Sequence, residues 1–130
     1  MSRKKFIDAL NQKAYLSPAV GTCTSIVCEE LMQAANVYFP DAHLNSEKMA
    51  RLAQTGHGVL NFDVVMPLFS VCHEISALGG KINWGTIDSM PYSENCIYTN
   101  ADDIIIPADF LKKPSCQVPL KAIKLLKKNA

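Results

Sequence analysis

Thiols, imidazoles and carboxylates are the side chains that could do chemistry in this chain, and their spacing limits what that chemistry is. Cys23 and Cys28 stand five positions apart in "AVGTCTSIVCEELMQAANVYFPDAH", residues 19–43. That spacing lacks the two short cysteine pairs, or the Cys/His set, of a structural zinc site. Cys28, inside a predicted helix, is expected to pack as a small hydrophobe. Cys23 and Thr24 follow a predicted strand end and could instead cap and pack the next helix. Cys72 and His73 invite a nucleophile–base reading, but sequence neighbours on a helix point in different directions, so a dyad is not expected. His43 is expected to order the loop that carries it, and His57 to lie on a helix face or in the core.

The chain has 130 residues, enough for one domain with a modest core. Its net charge of +1 gives no reason to expect a nucleic-acid partner, and no apolar run approaches the roughly 20 residues of a membrane span. The basic start "MSRKKFIDAL" is followed by no long apolar segment or small-residue cleavage site, so it is not read as a signal peptide. The cysteines at 23, 28, 72, 96 and 116 are odd in number and scattered. They are expected to be free thiols in a reducing cytosol, which places the chain in the cytoplasm.

Alternating helices and strands position these groups. Phe6 and Leu10 share a face of an N-terminal helix, which Ser17-Pro18 breaks. Ala19 to Thr22 reads as a short buried strand. Thr24 or Ser25 is expected to cap a helix with Glu29 and Glu30 near its positive end and Val27, Leu31, Ala34 and Ala35 as its stripe. Pro40 and Asp41 end that helix. Asn45 caps another, "SEKMARLAQTGHGVL", with Met49, Leu52, Ala53, Val59 and Leu60 inward. The unbroken apolar run "FDVVMPLF", 62–69, suits a strand covered on both faces. "CHEISALGG" reads as a short helix ended by Gly79 and Gly80. "KINWGTI" is expected to be extended, Asp88 to Thr99 a loop, and Ile104 to Ile106 a short strand or buried loop. Pro119 is expected to open a final helix with Leu120, Ile123 and Leu126 on one face and lysines on the others. Strands alternating with helices argue for one α/β unit spanning 1–130.

Several of these stretches, in this order, carry a resemblance. They are Thr22 to Met32, "FPDAH" at 39–43, "SEKMARLA" at 46–53, "FDVVMPLF" at 62–69, "SALGGKINWG" at 76–85 and "VPLKAIKLLKK" at 118–128. Together they resemble the uroporphyrinogen decarboxylase superfamily, and within it the corrinoid methyltransferase branch that moves a methyl group from a methylated corrinoid protein to coenzyme M. The resemblance implies a (β/α)8 TIM barrel, of which this chain would supply the N-terminal helix and the first two βα units, since such barrels need roughly 250 residues. Residues at the C-terminal ends of barrel strands face the active site. Cys23, Thr24, Ser70 and Glu74 are therefore expected to form pocket wall. Glu74 matches a glutamate common in the methyltransferase branch.

Departures from the pattern choose between branches. The decarboxylases have an arginine-rich turn after the first strand, whereas no arginine occurs here between Arg3 and Arg51. They also place an aspartate after the second strand, where "FSVCHE" has Ser70. A polycarboxylated tetrapyrrole would lose its charge partners. In the methyltransferases zinc binds the acceptor thiol and keeps it as thiolate. Those zinc ligands, a His-x-Cys pair and a later cysteine, belong to the C-terminal half, and no His-x-Cys occurs in these residues, so no metal ligand and no catalytic residue is assigned here. The chain by itself is expected to be catalytically incompetent. The partners implied are a corrinoid protein, a thiol substrate and a second chain completing the barrel. Two other readings stay open: a non-catalytic assembly module, and a decarboxylase-like enzyme with another substrate.

Overall fold

The computed structural model describes residues 2–13, 17–21 and 25–129. Among these described residues six α-helices run in chain order: α1 (Ser2–Leu10), α2 (Glu29–Ala35), α3 (Asp41–Leu44), α4 (Ser46–Gly58), α5 (Cys72–Ala77) and α6 (Pro114–Asn129). One antiparallel pair, β1 (Ile82–Asn83) and β2 (Tyr92–Ser93), sets Ile82 opposite Ser93 and Asn83 opposite Tyr92.

The core forms where α4 meets α2, α3 and α6. Asn45 starts α4 as its side-chain oxygen accepts from the amides of Glu47 and Lys48, at 2.9 and 3.0 Å. Met49, Ala50, Leu52 and Ala53 then turn one face inward at helical period. Ala50 and Ala53, with Ala122 of α6, are buried in the core; such small side chains let helix axes approach closely. α2 ends on Asn36 in the left-handed region, φ 49°. The amide of Val37 reaches back to the Met32 carbonyl and that of Asn36 to Gln33, which closes a Schellman turn and brings Val37 into the core beside Met32.

Asp63 ties the N-terminal segment to the rest. Its amide donates to the Val20 carbonyl at 2.7 Å, while its carboxylate accepts from the Val20 amide at 2.8 Å and from Lys5 Nζ at 2.9 Å. These bonds hold residues 19–21 beside 62–65, where two parallel strands are expected. Neither stretch forms a ladder among the described residues, so neither is a strand there; Thr22, the expected end of the first, lies outside the described residues.

Other expectations shift for identifiable reasons. α1 ends at Leu10, well before Ser17-Pro18, because Gln12 takes φ 55°. α2 begins at Glu29 with no side-chain cap, so Ser25 does not cap it; Thr24 lies outside the described residues. Cys28 precedes the first turn in extended backbone and is exposed, not packed. Ala34 is exposed and Met32 takes its inward place. α4 stops at Gly58, so Val59 and Leu60 leave its buried face and are exposed. Ile104 to Ile106 follow a 3-10 turn over 101–103 and lie on the surface, Ile105 at 75% exposure, because no strand pairs with them among the described residues. α6 opens at Pro114 and contains Pro119. Its core-facing residues are Ala122, Leu125 and Leu126, while Leu120 and Ile123 are exposed.

The hairpin turn is built on a close approach. Gly85 has φ +75°, and a Cβ there would sit 2.2 Å from the Ser89 carbonyl oxygen. Only glycine permits that turn.

Candidate functional site

The sequence-predicted site residues divide unequally. Ser70 is half-buried; its Oγ accepts from the Cys72 amide at 3.0 Å and so fixes the turn that leads into α5. Glu74, in the first turn of α5, is exposed. These two share one turn-and-helix corner. Cys23 and Thr24 lie outside the described residues. Glu74 also faces Cys116 of α6, whose thiol is pushed up by burial and further by that carboxylate. A thiol so held is protonated and unreactive.

Beside this corner lies a feature that sequence reasoning gave only a structural role. His43 of α3 and His73 of α5 are buried, at 0% and 2% exposure, with ring centroids 6.3 Å apart. Phe39 stacks on His43 at 4.2 Å and an interplanar angle of 12°, and Phe69 closes edge-on to Phe39. Trp84, just after β1, lies 6.0 Å from His43 and 5.0 Å from His73. Phe39 lies in the turn before α3, so no helical spacing in the sequence signalled its stacking on His43.

Burial sets the charge of the pair. Removal from water, and after it the neighbouring His73, push His43 down to about 4. His73 is lowered by burial, opposed by its bond to the Ser115 carbonyl. Both rings are neutral at pH 7. A carbonyl can only accept, so His73 Nδ1 carries the proton in the 3.1 Å bond to Ser115 and its Nε2 presents a lone pair. No hydrogen bond joins either ring to a thiol among the described residues, so no Cys–His dyad is formed here. His57 is an exposed helix-face residue whose Nδ1 donates to the Phe62 carbonyl at 2.8 Å.

The opposite side of α5 borders a shallow open groove of about 610 Å³, lined by Ile75, Leu78, Ile97, Tyr98 and Ile104 with Cys96 at its wall. The Cys96 thiol donates to the Tyr98 carbonyl at 2.9 Å. Zinc, the metal the resemblance implies, does not fit these residues: among those described, no three His, Cys, Asp or Glu side chains converge on one point. No helix among the described residues is long and apolar enough to cross a membrane.

The helical core around α4, the segments tied through Asp63 and the corner that carries Ser70 and Glu74 make a mostly helical unit with one short antiparallel strand pair among the described residues. The chain belongs to the uroporphyrinogen decarboxylase (URO-D) family, whose profile matches residues 1–130. Its relatives point within that family. The methylcobamide:CoM methyltransferase MtbA of Methanosarcina acetivorans is 32% identical over 104 residues, 79% of this chain and 31% of that protein. The methylcobamide:CoM methyltransferase MtaA of Methanosarcina barkeri is 28% identical over 128 residues, 98% of this chain and 38% of that protein. The solved structure of a methyltransferase from Methanosarcina mazei superposes with a TM-score of 0.90 at 27% identity, over 99% of this chain and 39% of that one. The chain thus spans about a third of the length of these relatives.

Proposed function

We propose that this chain forms the N-terminal part of a corrinoid-dependent methyltransferase, which passes a methyl group from a methylated corrinoid protein to coenzyme M or a similar thiol. The observation that carries this reading is the superposition on a Methanosarcina methyltransferase along nearly the whole chain. In the reaction the acceptor thiolate forms a carbon–sulfur bond as the carbon–cobalt bond breaks, and the electron pair stays on cobalt. No described residue here acts on that bond directly. Cys23, Thr24, Ser70 and Glu74 form pocket wall at the strand-end face of a TIM barrel completed by further βα units, and zinc is held by those further units. Ser70 in place of an aspartate, and the arginine-free stretch between Arg3 and Arg51, disfavour a carboxylate-rich tetrapyrrole as substrate.

A chimera tests this. Residues 1–130 replace the matching segment of the Methanosarcina acetivorans enzyme, and transfer from methylcobalamin to coenzyme M is assayed with zinc. Turnover is expected from the chimera and not from the 130-residue chain alone. A folded but inactive chimera overturns the methyltransferase reading, and turnover by the chain alone overturns the shared-barrel reading.

A second reading, a non-catalytic assembly module, draws support from Ile105 and Ile106, exposed at 75% and 69% beside the apolar groove. Such a surface favours association. It predicts a stable complex with a second polypeptide whose formation does not confer methyl transfer.

A further inference from the structure

Three ring nitrogens of the imidazole pair, Nδ1 and Nε2 of His43 and Nε2 of His73, are sealed from solvent with no hydrogen-bond partner on the protein. An unpaired buried polar atom costs about 1–3 kcal/mol, so three in one place point to a shared guest. Ring nitrogens stand roughly 1.2 Å from a ring centroid, so at 6.3 Å between centroids the two imidazoles approach no closer than about 4 Å, nitrogen to nitrogen. A direct hydrogen bond between the rings is thereby excluded, while two bonds of about 2.8 Å to one bridging atom span separations up to about 5.6 Å.

The chemistry of the seat selects the guest. His73 Nε2 is an acceptor, because its Nδ1 proton is committed to Ser115. Neutral His43 has one N–H to donate. The guest must therefore donate to His73 and accept from His43. Phe39, Phe69 and Trp84 pack their rings against the pair. Among the described residues no third His, Cys, Asp or Glu converges with the two imidazoles, so a metal cation would lack ligands there. We propose that His43 and His73 share a single buried water molecule, which accepts from His43 and donates to His73 Nε2. The bridge ties the "FPDAH" turn to α5, the helix that carries Glu74 and begins at the Ser70 turn. It stands independently of the methyl-transfer reading.

Nitrogen-15-labelled 130-residue chain tests it by NMR. Long-range nitrogen–proton spectra should show His73 protonated on Nδ1 and His43 with a single ring N–H. That N–H should give a dipolar cross-peak at the water frequency with the sign of a long-lived water. In His43→Leu the His73 Nε2 resonance should move while its Nδ1 resonance stays. Should that variant fail to fold, the wild-type spectra decide alone. A protected His43 ring N–H without the water cross-peak overturns the proposal. So does a shift of ring nitrogens in both histidines with one equivalent of Zn(II), which would make the seat a metal site.

Discussion

His73 donates from Nδ1 to the carbonyl oxygen of Ser115, 42 positions along the chain, and so joins α5 to the first turns of α6. The acceptor is free for a reason written in the sequence. In an α-helix the Ser115 carbonyl would take the N–H of residue 119, and residue 119 is proline. An interior proline normally leaves a carbonyl unpaired; here a side chain from another helix takes the vacated bond.

This pairing predicts a coupling. His73→Leu removes the donor and should lower stability by about 1–3 kcal/mol. Pro119→Ala restores an amide that can satisfy Ser115 from within α6. In that background His73→Leu should cost about 1 kcal/mol less. Urea denaturation of the four chains reads the cycle. Equal losses in both backgrounds would show that Pro119 does not govern the bond.

Acid should weaken the fold in a defined window. Burial depresses both imidazoles, His43 to about 4. The unfolded chain therefore takes up their protons first, near 6.5, so the stability from keeping them neutral is complete above that pH and is lost as pH falls toward 4. Each imidazole contributes a slope of up to about 1.4 kcal/mol per pH unit in the window. Asp8, held below its usual range chiefly by Lys4, titrates at lower pH and is separable. The check is the urea midpoint from pH 7 to 4, with His43→Leu expected to flatten the slope; an unchanged slope would place the acid sensitivity elsewhere.

Asp63 should matter more than its place in an apolar run suggests. Its carboxylate, 9% exposed, accepts from the Val20 amide and from Lys5. Asp63→Ala leaves the half-buried Lys5 ammonium and the Val20 amide without this acceptor and should cost about 1–2 kcal/mol. Asp63→Asn keeps an acceptor for Val20 and should cost about half that. Thermal melts of both variants order them; equal losses would assign the whole effect to the ion pair with Lys5.

Local rules written in few residues were legible before the structure. Asn45 caps α4, Glu29 and Glu30 sit in the first turn of α2, and "CHEISA" is a helix that ends before Gly79. The family resemblance was legible as well, because it lies in the order of several stretches. What failed depended on partners distant in the chain. "FDVVMPLF" has strand composition, but a strand exists only where a neighbour supplies a ladder, and Asp63 instead spends its side chain on Val20. Pro119 looked like a helix start because nothing nearby reveals that His73 compensates for it. His43 and His73 stand 30 positions apart, and no periodicity brings them together. Of the strand-end candidates, Ser70 and Glu74 are seen at one corner, and Cys23 and Thr24 lie outside the described residues.

Gly21 lies so near Val64 that a Cβ added there would sit 2.9 Å from the Val64 Cβ and 3.3 Å from its carbonyl oxygen. The two segments thus approach closely, next to the Asp63–Val20 tie. Gly21→Ala should cost about 1–3 kcal/mol by forcing them apart. The obstructing atom is the Cβ of Val64 rather than its methyl groups, which makes the compensation specific. Val64→Ala keeps that atom and should not rescue Gly21→Ala, whereas Val64→Gly removes it and should recover about 1 kcal/mol of the coupling. Denaturant midpoints for the single and double variants decide the matter. Rescue by Val64→Ala would mean that the segments are held apart by the valine methyls, and that the close backbone approach on which their pairing rests is not there.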